Sequence, residues 1–203
     1  MDILPKNKPG LVQTDTVPHA LPWLLMILVI VVMAVVLSTQ GRVWWCQWDS
    51  PLYVWSSDVW SKHNSQHFID PYAFTHLLHG FLFFWLARIV FRKRMGFAWM
   101  LFAAVVGESA WEVLENSKYI IEKYRENTAS LEYFGDSIAN SIGDVIACII
   151  GFFIAFRLGI WRSIVVFLIV EVILIIAIKD SLLINILQLT YPIEAIKVWQ
   201  AGG

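Results

Sequence analysis

Five runs of apolar residues, each about as long as a membrane-crossing helix, follow one another along the chain. They cover residues 21–37, 72–91, 97–114, 136–156 and 163–178. About 20 mostly apolar residues are needed for a helix to cross roughly 30 Å of hydrocarbon. The pattern therefore predicts an all-α integral membrane protein, a bundle of five transmembrane helices with a sixth if the C-terminal tail re-enters the membrane.

The same pattern divides the chain into three parts. Residues 1–20 are predicted to be a flexible cytoplasmic lead-in, and residues 21–178 a single transmembrane bundle with a Trp-rich outer loop at 38–70. Residues 179–203 are predicted to be an interfacial segment. Their apolar stretch 182–189 is too short to span, so it indicates either a surface helix or an extension of the fifth span.

The positions of the basic residues predict the orientation of the bundle. They are dense in two short connections, at Arg92, Lys93 and Arg94 and at Arg157 and Arg162. Lys and Arg are enriched in cytoplasmic loops of membrane proteins. We therefore expect both connections, and the N-terminus, to lie inside.

Composition supports a membrane location and excludes other classes. Hydrophobic residues make up 58% of the 203 residues and charged residues 15%, with a net charge of −1. Soluble domains are about 25% charged. Without a basic excess we expect no nucleic-acid partner, and the lipid bilayer is the predicted environment. Cys46 and Cys148 form no disulfide framework. The oligomeric state is left open.

Polar side chains lie at helical spacing on three of the predicted spans. An ionisable group at the bilayer centre costs about 2.5–3.5 kcal/mol, so such groups indicate partners or function. In the predicted orientation all three sets lie in the outer half of the membrane. The residues are His76 and His79; Glu108, Glu112 and Glu115; and Asp136, Asn140 and Asp144. Their convergence predicts a buried cluster on the periplasmic side.

The residue types suggest metal or acid–base chemistry. The predicted catalytic residues are His76, His79, Glu108, Glu112 and Asp144. Histidine and carboxylate are ligands for a divalent metal such as Zn²⁺. We expect Glu108 to orient its neighbours, while the other four hold the metal or act as acid and base.

Asn140, Asp136 and Arg125 are predicted to bind substrate, with Arg125 assisting an anionic group. Simpler interpretations stay open for several residues. Asp136 could cap a helix, and Glu115 could be solvated near the interface. Glu171 has no obvious local partner in the sequence.

Three segments carry a resemblance to a known family. They are 67–72 with 75–80, 107–117, and 135–144. They resemble a bacterial family of small multi-pass inner-membrane proteins catalogued as a domain of unknown function. The resemblance implies a cell inner-membrane location and supplies no reaction. The spacing of Asp136, Asn140 and Gly143 is also similar to VanZ-like membrane proteins.

Three functional hypotheses follow. The first is a membrane-embedded enzyme acting at the outer leaflet on a lipid or isoprenoid-linked headgroup. The second is a non-catalytic lipid-binding or membrane assembly protein in which the polar cluster is structural. The third is a proton-coupled transporter with Glu171 as a further relay group, which would need a polar path to the cytoplasmic side.

Overall fold

The computed structural model of the chain describes residues 19–48, 54–91, 94–128 and 130–202. Most of the predicted lead-in therefore lies outside the described residues, as do Arg92 and Lys93 of the second-to-third connection. Within the described part, the regular secondary structure is helical. The helices are α1 Leu21–Thr39, α2 Ala73–Val90, α3 Phe97–Glu115, α4 Lys118–Asn127, α5 Ile138–Ile178, α6 Leu182–Thr190 and α7 Glu194–Gln200.

Four of these helical segments, α1, α2, α3 and α5, are long and apolar enough to cross a membrane. Their outward faces carry exposed Leu, Ile and Val side chains, for example Leu28 in α1 and Ile89 in α2. Exposed apolar faces of this kind belong in lipid. The predicted helical membrane architecture is therefore supported.

The fourth and fifth predicted spans form one segment, α5, of 41 residues. Gly159 interrupts it with φ 73° and ψ 173°, a conformation outside the helical region. Such a positive φ is accessible mainly to glycine because it has no Cβ. Residues 138–158 and 160–178 are therefore two helical halves on either side of a break.

The second half of α5 runs back along α2. Near the break, the Trp85 indole donates a hydrogen bond to the Ser163 hydroxyl at 2.8 Å. Just beyond the other end of α5, the Tyr72 hydroxyl lies 3.0 Å from Asp180 Oδ2. The start of the second half of α5 thus lies beside the end of α2, and its end lies beside the start of α2. The two helices therefore run antiparallel.

The first half of α5 packs against α2 at very short range. A Cβ atom on Gly80 would lie 2.1 Å from the Cys148 carbonyl oxygen, and one on Gly151 would lie 1.9 Å from the Leu77 carbonyl oxygen. Only glycine fits at both places. Small residues allow such contacts between membrane helices. This interface holds the histidines of α2 beside the polar end of α5.

The loop between α1 and α2 covers that polar end. The amide nitrogens of Ile138 and Ala139 donate to the carbonyl oxygens of Val43 and Trp44, at 2.8 and 3.2 Å. The first-turn N–H groups of a helix lack intrahelical partners, and the loop carbonyls supply them. The loop is therefore fixed to the start of α5.

The C-terminal segment packs back on the bundle as two short helices. Lys179, in the left-handed conformation at φ 53°, ends α5, and Ser181 caps α6. Residues 182–190 thus form a separate helix, and the alternative of a continuous extension of the fifth span is wrong. The Gln188 side chain donates to the Asn127 carbonyl oxygen at 2.8 Å, which ties α6 to the end of α4.

Candidate functional site

Three helices bring the predicted catalytic side chains together in the interior. We call this group the histidine–carboxylate cluster: His76 and His79 on α2, Glu108 and Glu112 on α3, and Asp144 on α5. Helical spacing places the two histidines, and likewise the two glutamates, on one face of each helix. Both glutamates have no exposed surface, and Asp144 is 2% exposed. The sequence therefore predicted the composition of this cluster.

Glu108 is the centre of the cluster. Its Oε1 lies 2.6 Å from His76 Nδ1, and its Oε2 lies 3.0 Å from His79 Nδ1. An ionised carboxylate only accepts hydrogen bonds, so both Nδ1 atoms donate to it. The Nε2 atom of each ring is then the nitrogen left to take a proton or bind a metal. This arrangement suits the orienting role expected of Glu108.

Glu112 and Asp144 approach His76 from two further directions. His76 Nδ1 lies 3.2 Å from Glu112 Oε1, and His76 Nε2 lies 3.9 Å from Asp144 Oδ2. Neither Glu112 oxygen, nor Asp144 Oδ1, has a hydrogen-bond partner among the described residues. Buried ionised carboxylates need a compensating charge.

Two groups of side chains have the spacing of metal ligands. His76, His79 and Glu108 form one, and His76, Glu112 and Glu115 form the other, each with ligand atoms within 4.8 Å of one another. His76 is common to both. Glu115 is 8% exposed, so its interpretation as a solvated interfacial residue is wrong. With Glu115, four buried carboxylates face two imidazoles, so the excess negative charge has to be balanced by bound protons or by a cation.

Asp136 belongs to a network at the edge of the cluster. Its Oδ2 accepts from the Asn116 amide at 2.7 Å, and its Oδ1 accepts from the Tyr133 hydroxyl at 3.1 Å. Burial raises the pKa of the Asp136 carboxyl. The helix-cap interpretation of Asp136 is wrong, because Ser137 is the residue that caps α5, accepting from the Asn140 amide nitrogen.

The other two predicted substrate-binding residues lie in different surroundings. Asn140 is 1% exposed, with Nδ2 3.5 Å from Asp70 Oδ2. Arg125 is exposed, lies over the Phe134 ring at 5.0 Å and donates to the Leu131 carbonyl oxygen. Arg125 does not line the cavity and has none of the cluster residues among these contacts.

A cavity of about 220 Å³ adjoins the cluster. Its polar lining consists of Asn64, Ser65, Tyr72, Thr75, His76, His79, Glu115, Tyr124, Ser130, Tyr133, Asp136 and Asn185. Its apolar lining consists of Leu82, Trp111, Leu182, Ile186 and Leu189. The sequence did not predict that tyrosines and α6 would line a cavity. The one sequence feature that pointed to α6 is that it is apolar but too short to span, which favours packing on the bundle.

Comparison with known proteins gives a family but no reaction. The model of the family "Protein of unknown function (DUF2585)" matches residues 37–202. The chain is 41% identical to a UPF0314 protein of Brucella anthropi, covering 91% of this chain and 95% of that protein. A UPF0314 protein of Rhizobium meliloti is 40% identical, covering 94% and 96%.

A UPF0314 protein of Paracoccus denitrificans is 41% identical, covering 89% of this chain and 93% of that protein. No solved structure matches the chain. The resemblance to VanZ-like proteins is not supported. Its short pattern at Asp136, Asn140 and Gly143 has a local explanation, since Gly143 packs against the Phe68 carbonyl and Asp136 joins the Asn116 network.

Proposed function

The chain belongs to the DUF2585 family of proteins of unknown function, and we propose that it is a membrane-embedded, metal-dependent hydrolase acting on the headgroup of a lipid or isoprenoid-linked molecule. One observation carries the proposal. Two cluster residues, His76 and His79, line a cavity that has both a polar side and an apolar side, the latter formed mainly by α6 residues. Pockets that bind small molecules combine apolar walls with a few converging polar groups in this way.

The proposed membrane topology is five crossings of the inner membrane with the N-terminus inside and the cluster on the periplasmic side. The break at Gly159 and the return of α5 along α2 support the fifth crossing. Arg88, Arg94, Arg157 and Arg162 all lie at the end of the bundle opposite the cluster. An excess of basic residues marks the cytoplasmic end.

The two kinds of lining suit an amphiphile. A polar headgroup would meet His79, Glu115 and Asp136, while an acyl or isoprenoid chain would lie along Leu182 and Ile186 of α6. The hydroxyl groups of Tyr72 and Tyr133 donate to Asp180 and Asp136, so toward a headgroup each offers the lone pairs of its oxygen as an acceptor.

The cluster residues divide into two roles. His76, Glu112 and Glu115 would hold a divalent ion, and the ion would take the place of the proton on His76 Nδ1, the ring nitrogen that lies 3.2 Å from Glu112 Oε1. When bound, such an ion would supply Lewis-acid chemistry toward an ester or phosphoester bond and toward water. Glu108 accepts a hydrogen bond from His79 Nδ1 and so leaves Nε2 of His79 able to move a proton. It accepts from His76 Nδ1 only while no ion is bound there. Because such an ion would compensate buried negative charge, the same contacts that bind it would also stabilise the fold.

Lipid binding without catalysis is the second candidate, since the same cavity would serve it. Transport is less well supported. Glu171, the expected further relay group, instead accepts hydrogen bonds from the amide nitrogens of Leu182 and Leu183, at 3.1 and 3.3 Å. Below the cluster the described core between α2, α3 and α5 is apolar, with Phe81, Phe84 and Leu101 buried.

The first test is the metal content of the detergent-purified full chain, measured by elemental mass spectrometry. We expect His76→Ala to lose about one metal ion per chain relative to wild type, and Glu112→Gln to lose a large part of it. The matched controls are His19→Ala and Glu122→Gln, because both residues are exposed and outside the cluster. Circular dichroism would show that the helices persist.

The second test is catalysis in proteoliposomes made from a bacterial lipid extract. Wild type should release a water-soluble headgroup detectable by mass spectrometry, and His76→Ala should not. Equal metal content in wild type and His76→Ala would overturn the metal proposal. Metal bound at His76 with no product from any lipid class would leave the binding protein as the better account.

A further inference from the structure

A second group of metal-ligating side chains lies in the loop between α1 and α2. Cys46, His63 and His67 offer ligand atoms within 4.8 Å of one another. Cys46 Sγ lies 3.4 Å from His63 Nδ1, and the two imidazole rings stack with centroids 5.8 Å apart. None of the three belongs to the histidine–carboxylate cluster.

We propose that Cys46, His63 and His67 bind Zn²⁺ and that this ion holds the loop over the cavity. The proposal stands independently of the proposed function. The geometry is close to what the metal needs. Zn–S and Zn–N bonds of about 2.3 and 2.05 Å at a tetrahedral angle place sulfur and nitrogen about 3.6 Å apart. The observed 3.4 Å needs little adjustment.

The ligand types select the metal. One thiolate with two imidazoles suits a borderline-soft ion such as Zn²⁺, whereas Mg²⁺ and Ca²⁺ prefer oxygen ligands. The histidine–carboxylate cluster has a different, oxygen-rich donor set. Three protein ligands leave a fourth position for water, and the partial exposure of Cys46 and His63 gives solvent a route to it.

The loop around the group is firmly anchored. The Gln66 side chain donates to the Gly135 carbonyl oxygen at 2.7 Å, and the Ser137 amide nitrogen donates to the Ser65 carbonyl oxygen at 2.9 Å. His67 has no exposed surface and lies edge-on to Trp45. The segment 65–67 is therefore held in place before any ion binds, which reduces the entropy lost on binding.

The fold gives the ion a role. In the described parts of 40–72 the chain makes turns and one isolated bridge, Trp55 to Ile69, and no helix. Long irregular connections of this kind are usually functional or need a further constraint. A metal joining residue 46 to residues 63 and 67 would supply it. Asn64 and Ser65, between the two histidines, line the cavity, so the ion would hold part of the cavity wall.

The test uses the full chain purified in detergent under reducing conditions. We expect Cys46→Ser to contain one Zn²⁺ fewer per chain than wild type, with Cys148→Ser, the matched change at the other cysteine, unaffected. After replacement by Co²⁺, wild type should show thiolate-to-cobalt charge-transfer absorption that Cys46→Ser lacks. The band should survive His76→Ala, because the histidine–carboxylate cluster contains no thiolate.

A measurement on a native loop guards against a variant that fails to fold. In the His76→Ala background, chelation should speed trypsin cleavage after Lys62, which is exposed in the loop, and added Zn²⁺ should restore protection. An unchanged metal content in Cys46→Ser, a cobalt band that depends on Cys148, or a cleavage rate indifferent to Zn²⁺ would each overturn the proposal. Because the two sites lose their ions separately, failure of one leaves the other standing.

Discussion

At the scale of single residues, buried carboxylates outside the spans are held by neutral donors. Asp180 is 4% exposed and accepts from the Ser181 amide nitrogen at 2.8 Å and the Tyr72 hydroxyl at 3.0 Å. Burial outweighs both hydrogen bonds and raises the pKa of the Asp180 carboxyl to about 7. In the folded state this carboxyl therefore gains or loses its proton within the physiological pH range.

This shift predicts a pH dependence of stability. The folded pKa of Asp180, about 7, exceeds its ordinary value of 3.8, so the folded state binds the proton more tightly. The contribution of the protonated Asp180 carboxyl to the free energy of unfolding is therefore complete below about pH 4 and is lost as the pH rises through 7. Asp180→Asn does not titrate. We expect thermal unfolding in detergent to show a smaller decrease between pH 5 and pH 8 in Asp180→Asn than in wild type.

The control for this prediction is Asp58→Asn, because Asp58 is exposed in the outer loop and should leave the pH dependence unchanged. The same slope of unfolding midpoint against pH in Asp180→Asn and wild type would contradict the assignment.

Residue-scale prediction from the sequence succeeded where helical spacing carried the information. The i, i+3 and i, i+4 spacings of His76, His79, Glu108 and Glu112 define helix faces, and the structure brings those faces together. Spacing says nothing about which loop meets a helix end. The position of Arg125 away from the cavity therefore could not be predicted.

At the scale of elements, the break in α5 shows what an apolar pattern leaves undecided. From Arg157 and Arg162 a short loop was expected between two spans. In the structure the chain is helical on both sides of Gly159, and only Gly159 leaves the helical conformation. One glycine with a positive φ is enough for the change of direction. Hydrophobicity located the two halves, whereas the form of their junction depends on a single backbone conformation.

Glu171 shows a second element-scale feature, the capping of one helix by a side chain of another. It is 3% exposed, and its two oxygens accept from the amide nitrogens of Leu182 and Leu183 in the first turn of α6. A carboxylate there satisfies free N–H groups and interacts favourably with the positive end of the helix. The sequence offered no local partner because the partners are backbone groups eleven and twelve residues later.

This capping predicts a graded loss of stability. Glu171→Ala leaves buried N–H groups unsatisfied and should reduce the free energy of unfolding by about 1–3 kcal/mol. Glu171→Gln keeps one acceptor oxygen and should lie between Ala and wild type. Unfolding in micelles would give the order. Glu194→Ala, at an exposed acid in α7, is the control. Equal effects of Glu171→Ala and Glu194→Ala would show that the cap contributes little.

At the scale of the whole molecule, the two ends of the bundle differ in chemistry. One end carries the Trp-rich loop, the histidine–carboxylate cluster, the cavity and the group of Cys46, His63 and His67. The other end carries the basic residues that flank Gly159. The sequence predicted this division, because the order of the spans alternates their ends. It could not predict the cavity, which needs α6 to fold back against α2 and α4.

The proposed orientation can be tested through Trp161 and Tyr191, which are 82% and 72% exposed. Trp161 lies just after Gly159, at the start of the second half of α5, and Tyr191 follows α6, beyond the other end of that half. Each would be changed to cysteine in a background carrying Cys46→Ser and Cys148→Ser. With the N-terminus inside and five crossings, a membrane-impermeant maleimide should label Tyr191→Cys in intact spheroplasts, and Trp161→Cys only after lysis. The reverse labelling pattern would show that the orientation is opposite to the proposed one, with the cluster at the cytoplasmic leaflet. Labelling of both in intact cells would mean that the second half of α5 does not cross the membrane, and the cavity beside α6 would then lose its proposed access to the outer leaflet.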